Sequence, residues 1–117
     1  MSYLIQLPNT IKSLAISLDE LGITDLAWKW GDVQHVIEFL KQNDFAILGG
    51  DVYIIENNQI NTTYDSWYIN RGPGESWYDY INECEKKTIE YINEYHFKNG
   101  DNYCYSLVYN KEVGSFN

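Results

Sequence analysis

The sequence predicts an α+β fold, in which an antiparallel β-sheet meander has about three helices packed on one face in the order α-α-β-β-β-β-α-β. Apolar residues recur at helical spacing in two early segments and in one long segment after residue 76. Short runs of β-branched and aromatic residues fill the middle, and an alternating run follows the long helix. Because the helical and strand patterns are grouped, the sequence favours α+β over alternating α/β.

The first two elements are predicted as helices joined by a connector that holds two tryptophans. The first runs from about Thr10 to Leu21, where Gly22 supplies the left-handed residue that ends many helices. The second runs from Asp32 to Asn43, with Asp32 as its cap. Its apolar stripe is formed by Val33, Val36, Ile37 and Leu40.

The middle of the chain is predicted as sheet. Phe45–Leu48 and Val52–Ile55 are short apolar runs on either side of Gly49-Gly50-Asp51. The two glycines suit either a tight turn between two strands or a bulge in one bent strand, and both interpretations stay open. Asn57-Asn58 is a turn signal, so Gln59–Thr63 is expected to return as a hairpin partner.

The remaining elements are a strand, the longest helix and a last strand. Ser66–Asn70 is predicted as a strand, and a glycine- and proline-rich turn ends it. The helix is predicted from about Trp77 to Phe97, capped by Ser76 with Asp79 three residues later. Tyr103–Tyr109 alternates as a strand does.

Composition limits the class of partner. The 117 residues, expected to form a single domain, carry 17 acidic and 8 basic residues and a net charge of −9. Nucleic acid is disfavoured as a partner, because phosphate binding takes clustered Lys and Arg. A basic partner is favoured through long-range steering. The start of the chain does not read as a signal peptide and no run is long enough to span a membrane, so we expect a reduced cytoplasm.

Catalytic and metal-binding patterns are weak. His35 and His96 both fall on predicted helices among polar neighbours, where a lone histidine is more often solvated than catalytic. Cys84 and Cys104 are too few and too scattered for a zinc site or a disulfide framework, and both fall at core-facing positions. Gly72-Pro73-Gly74 precedes a helix but reads better as a turn than as a phosphate cradle. The sequence therefore predicts no enzyme, no metal and no cofactor.

Acidic and aromatic residues together suggest a protein-binding surface. Acids taken alone more often form only a solvated surface, and each aromatic taken alone is more often core. The aromatics, at 16% of the chain, nevertheless exceed what one small core needs, and Trp and Tyr dominate interface hot spots. The predicted contact set is Asp25, Trp30, Asp32, Asp51, Asp65 and Tyr68.

Several segments resemble the immunity protein 40 family over roughly residues 10–110. They include Leu21-Gly22-Ile23 through Trp28, the helix Val33–Leu40, and Ile47-Leu48-Gly49-Gly50-Asp51-Val52-Tyr53. Tyr64-Asp65-Ser66-Trp67-Tyr68 and the helix opened by Glu75-Ser76-Trp77 are similar to it as well. The resemblance implies a small cytoplasmic bacterial protein that neutralises a cognate toxin by direct binding, without catalysis.

The predicted mechanism is stoichiometric masking of the toxin through the acidic, aromatic-rich surface. A basic nuclease is one candidate toxin, since enzymes that attack nucleic acid are usually basic. The alternative is a non-catalytic cytoplasmic ligand-binding domain, for instance one that stacks sugars on exposed tryptophans.

Overall fold

The structure is a computed structural model, and it describes residues 7–112. Three α-helices, five strands and one 3-10 turn make up the described part of the chain, and they form the α+β fold that the sequence predicts. In chain order they are α1 (Asn9–Lys12), β1 (Ile16–Ser17), the 3-10 turn (Asp19–Leu21), β2 (Leu26–Lys29), α2 (Trp30–Gln42), β3 (Ala46–Glu56), β4 (Gln59–Tyr68), α3 (Trp77–Asn99) and β5 (Tyr103–Asn110).

The five strands form one sheet in which every neighbouring pair is antiparallel. Their spatial order is β1-β2-β5-β3-β4, so the last strand of the chain is inserted into the middle of the sheet. β3 and β4 form a hairpin whose turn residues Asn57 and Asn58 have positive φ angles of 53° and 62°. This confirms the predicted turn and leaves β4 at one edge of the sheet.

The main hydrophobic core lies between the sheet and the helices. α1 contributes Ile11, α2 contributes its predicted stripe, and α3 contributes Ile81, Cys84 and Ile92. The sheet contributes Val52, Tyr105 and Leu107 among others. Ser76 caps α3 as predicted, because its side-chain oxygen accepts the Asp79 N–H at 3.0 Å.

A second, smaller cluster lies on the other face of the sheet. Successive strand residues point to opposite faces, and Tyr53 belongs to this cluster whereas its neighbour Val52 belongs to the main core. Its buried members are Leu18, Ala27, Tyr53, Ile60 and Cys104. The chain around the 3-10 turn therefore covers part of the sheet face that the helices leave open.

The predicted first helix is wrong over most of its length. It ends at Lys12, and Ile16 and Ser17 pair instead with Ala27 and Leu26 of β2. Leu18 is fully buried in the second cluster, whereas Ile11 is in the main core. One helix cannot send two residues of the same stripe to opposite sides of a sheet, so sheet pairing and burial override the helical spacing. Gly22 still ends a helical turn, with φ of 72°.

The four short strand segments predicted for the middle of the chain form two long strands, β3 and β4. β3 begins at Ala46 and contains the rest of Phe45–Leu48 and all of Val52–Ile55, and the register shifts between Ile47 and Gly49 against β5. The bulge interpretation of the glycines is therefore correct, and the tight turn is wrong. Gln59–Thr63 and the start of Ser66–Asn70 likewise combine into β4, which ends at Tyr68, because a second register shift lets the strand bend without ending.

Asp32 does not cap α2. The helix begins two residues earlier, at Trp30, with Lys29 in the N-cap position. Asp32 lies in the first turn, where a negative charge interacts favourably with the helix dipole. In the part of the chain from residue 7 to residue 112, no helix has the length and apolar character needed to cross a membrane.

Candidate functional site

Two of the segments that carry the resemblance are paired directly with each other. In the β3–β4 ladder, Gly49 lies opposite Tyr68, Gly50 opposite Trp67, and Asp51 opposite Ser66. Trp67 is in the main core, so its neighbours in β4 point away from the helices. The paired segments thus have a buried side and an exposed side.

Trp67 accounts for the buried side. Its indole N–H donates to the Thr88 hydroxyl at 3.2 Å, and its ring stacks on Tyr91 with centroids 4.7 Å apart. A Cβ at Gly50 would lie 2.4 Å from the Trp67 ring and 2.1 Å from the Ser106 carbonyl oxygen. The glycine therefore leaves room for the indole, and the pairing holds the strand backbone in place.

A bulge in β4 presents Tyr64 to solvent. Tyr64 is 90% exposed and has a positive φ of 65°, which is rare for a bulky residue. The Tyr64 N–H donates to the Thr62 hydroxyl at 3.0 Å, and the Asp65 N–H donates to the Thr63 hydroxyl at 3.0 Å. The Thr63 hydroxyl donates in turn to the Val52 carbonyl at 2.8 Å. Two threonines therefore hold the bulge in one conformation.

Asp65 connects the bulge to α3. The Tyr95 hydroxyl donates to Asp65 Oδ2 at 2.7 Å. Burial raises the pKa of Tyr95 to about 12, and the hydrogen bond to Asp65 adds to that rise. Burial likewise raises the pKa of Tyr91, with a smaller contribution from the Asp65 charge. The carboxylate therefore lies beside two partly buried tyrosines.

We call the exposed residues of this region the β4 surface. It consists of Asp51, Tyr64, Asp65, Ser66 and Tyr68, all of them exposed. β4 is an edge strand, so a partner can reach its edge as well as its exposed side. From Tyr64 to Tyr68 the strand is about 13 Å long, at the usual rise of a strand.

Three of the six predicted contact residues, Asp51, Asp65 and Tyr68, belong to the β4 surface. Asp25 is exposed and immediately precedes β2. Burial raises the pKa of Tyr53, and the charges of Asp51 and Asp25 raise it further. Both charges thus act on Tyr53, which belongs to the second cluster.

Trp30 and Asp32 are elsewhere, at the start of α2. The Trp30 ring stacks on His96 with centroids 4.0 Å apart and an interplanar angle of 2°. Its N–H donates to Asn93 Oδ1 at 2.8 Å. Trp30 is therefore half-buried and links α2 to α3, and the structure does not bring it together with Tyr68.

Three residues of the site, Tyr64, Tyr91 and Tyr95, are not among the contact residues that the sequence predicts. Tyr95 lies within the predicted long helix, and only its position over the bulge reveals the contact with Asp65. The positive φ of Tyr64 has no sequence signal, because tyrosine is not a residue that favours this conformation.

The side chains of the site are groups suited to binding. Cys84 and Cys104 are buried as predicted, and burial raises the pKa of the thiols to about 11 and about 12. Among residues 7–112, no group of three or more His, Cys, Asp or Glu side chains is arranged to hold a metal ion. Aromatic rings, carboxylates and hydroxyls on a rigid edge strand are suited to recognising another protein.

Comparison with known proteins yields a family match. The family model described as Immunity protein 40 matches residues 17–109. The matched span includes β3, β4 and α3, and therefore the whole β4 surface. No curated protein and no solved structure matches the chain.

Proposed function

The chain belongs to the immunity protein 40 family, and we propose that it binds a cognate bacterial toxin in the cytoplasm and neutralises it by stoichiometric masking, without catalysis. Such a protein has to present a preformed surface, because each ordered side chain costs part of the binding energy.

The β4 surface is the proposed binding site. The observation that carries this assignment is the exposure of two large aromatic side chains four residues apart, Tyr64 at 90% and Tyr68 at 77%. Tyrosines of this kind supply much of the energy of protein interfaces. The fixed bulge and the buried Trp67 hold the strand rigid, so little ordering remains to be done on binding.

The negative charge of this chain favours a toxin whose binding surface is positively charged. The chain carries a net charge of −9, Asp51 and Asp65 lie within the β4 surface, and the charges of Asp51 and Asp25 both raise the pKa of Tyr53. These carboxylates favour a toxin with a basic binding region, and they accelerate association by steering. The proposed partner is accordingly a basic toxin, with a nuclease as one candidate, whose active site or adjacent exosite is covered.

The alternative of a sugar-stacking domain loses its main support. It depends on exposed tryptophans, whereas Trp28 and Trp67 are buried and Trp30 and Trp77 are half-buried. All four indole N–H groups donate hydrogen bonds within the protein. No tryptophan remains as an open platform.

The direct test uses the product of the open reading frame next to this gene. We expect that product to arrest growth when it is expressed alone, growth to recover when this protein is co-expressed, and the two proteins to co-purify. A neighbouring product that is toxic but neither rescued nor bound would contradict the proposed function.

Substitutions test the assigned surface. Combining Asp51→Lys with Tyr68→Ala should weaken toxin binding at least about 30-fold, the loss of roughly 2 kcal/mol expected for a hot spot. Surface plasmon resonance should show slower association as well. Tyr78→Ala is the matched control, because Tyr78 is 71% exposed but lies at the start of α3, outside the β4 surface. If both variants bind as tightly as the parent, the β4 surface is not the binding site.

A further inference from the structure

A shallow groove separates the β4 bulge from the C-terminal half of α3. Its volume is about 290 Å³, and its lining residues are Asp65, Tyr91, Glu94, Tyr95, Lys98 and Asn99. The groove adjoins the β4 surface through Asp65 but opens on the other side of the edge strand, the side on which α3 lies.

Aromatic rings form one wall of the groove. Trp67 stacks on Tyr91, and Tyr91 stacks on Tyr95 with centroids 6.0 Å apart. Tyr95 also makes an edge-to-face contact with Tyr103, at 5.2 Å. Because these rings brace each other from the core outward, the wall is preformed.

Carboxylates supply the polar part of the groove. Asp65 Oδ2 accepts the Tyr95 hydroxyl at 2.7 Å, and an ionised carboxylate has about four acceptor positions. Asp65 therefore keeps acceptor capacity for a ligand. Glu94 is exposed and provides a second carboxylate from α3.

We propose, building on the proposed function, that this groove receives an arginine side chain of the toxin. A guanidinium group is planar and carries five donors, which match the carboxylates of Asp65 and Glu94. Its aliphatic stem packs on the tyrosine wall. A lysine ammonium is more strongly hydrated and offers no planar surface to the rings, so the groove favours arginine.

The one cation that lines the groove leaves both carboxylates available. Lys98 lies one helical turn after Glu94, yet within the described part of the chain it forms no ion pair with Glu94 or Asp65. The local charge of these three groups is −1. Lys98 repels an incoming cation, so the groove binds arginine more weakly than it would if only the two carboxylates were present.

A titration with a small peptide tests the proposal without the toxin. Acetyl-Gly-Arg-Gly-amide should bind the full chain at millimolar concentration and shift the ring resonances of Tyr91 and Tyr95 in NMR spectra. The citrulline analogue has the same shape but no charge and should bind at least about 10-fold more weakly, the loss of one charge-assisted hydrogen bond. The lysine analogue should also bind more weakly than arginine.

Three variants sharpen the test. Asp65→Asn still accepts the Tyr95 hydroxyl, so the groove keeps its shape while it loses charge, and arginine binding should fall about 10-fold. Glu94→Gln should weaken binding less, and Lys98→Gln should strengthen it a few-fold. Glu90→Gln is the matched control, because Glu90 is exposed on α3 but does not line the groove.

The outcomes separate this proposal from the proposed function. Equal binding of the arginine and citrulline peptides, or unchanged arginine binding by Asp65→Asn, would overturn the arginine site even if the protein still neutralised its toxin. Selective arginine binding that Asp65→Asn abolishes would support the site even if the neighbouring gene product proved to be no toxin.

Discussion

The buried and exposed sides of the β3–β4 pairing differ sharply in what they do, although they alternate along the same few residues. Gly50 and Trp67 face the helices, where the indole fills the space that the glycine leaves. Asp51 and Tyr68, their immediate neighbours, face away and contact little of the protein. The buried side therefore stabilises the fold, and the exposed side is free to bind a partner. Substitutions can separate these two roles.

The largest expected effect comes from Trp67. Trp67→Ala should lower the free energy of unfolding by about 3–5 kcal/mol, because a large buried ring is replaced by a cavity. Tyr68→Ala should leave it within about 0.5 kcal/mol of the parent, since Tyr68 is 77% exposed. Urea denaturation monitored by circular dichroism measures both. Similar losses at the two positions would contradict the division into two sides.

The next largest loss of stability is expected at Gly50. Gly50→Ala places a methyl group 2.1 Å from the Ser106 carbonyl oxygen, so we expect a loss of about 3 kcal/mol from overpacking. Gly31→Ala is the matched control. A Cβ at Gly31 meets no atom within 4 Å, and alanine favours helix, so stability should rise by up to about 1 kcal/mol. Thermal melts of the two variants should therefore shift in opposite directions.

High pH should destabilise the two hydrophobic clusters next, because each contains one buried cysteine. The thiols of Cys84 and Cys104 have a pKa of about 11 and about 12 in the folded chain, against 9.0 ordinarily. Above pH 9 the unfolded chain binds fewer protons than the folded chain, so stability is complete below pH 9 and falls as pH rises. The expected loss at pH 10 is about 1 kcal/mol for each thiol.

Urea denaturation from pH 7 to pH 10.5 checks this dependence. Cys84→Ala should remove the share that this thiol contributes and give a shallower decline. A free energy of unfolding that stayed constant from pH 8 to pH 10 would show that the thiols do not titrate as their burial implies.

The smallest effect is expected at Tyr64, and it tests the exposed side. Glycine adopts a φ of 65° without strain, so Tyr64→Gly should raise stability by about 1 kcal/mol. The same variant should weaken toxin binding, because it removes the most exposed aromatic ring of the β4 surface. Tyr64→Asn serves as a control, since asparagine also tolerates this conformation. A loss of stability in Tyr64→Gly would mean that the ring contributes to folding.

The second helix, the long helix and the last strand could be predicted because local signals and burial agree there. The stripe of α2 is fully buried, and Ser76 caps α3 where the sequence placed the cap. The N-terminal segment could not be predicted, since its apolar spacing fits a helix equally well. Only the pairing of Ile16 with Ala27 and the burial of Leu18 across the sheet decide otherwise.

The candidate site follows the same rule. Residue type alone pointed to Asp51, Asp65 and Tyr68 as contact residues, and the structure places Asp65 and Tyr68 on the edge strand β4 and Asp51 on the neighbouring strand β3. Residue type could not show that the Trp30 ring stacks on His96, or that the Tyr95 hydroxyl contacts Asp65. These contacts join residues far apart in the chain, so no local pattern records them.

The amino-acid sequence is enough to predict the α+β class, the acidic and aromatic character of the chain and its resemblance to the immunity protein 40 family. These properties depend on composition, short-range periodicity and short motifs. The tertiary structure alone decided that β5 enters the middle of the sheet and that β4 forms its edge. It also decided that Asp65 faces α3 while Tyr68 faces the opposite side. The physical reason is that strand order and strand length depend on which long-range pairings bury the most apolar surface, and local patterns do not record those pairings.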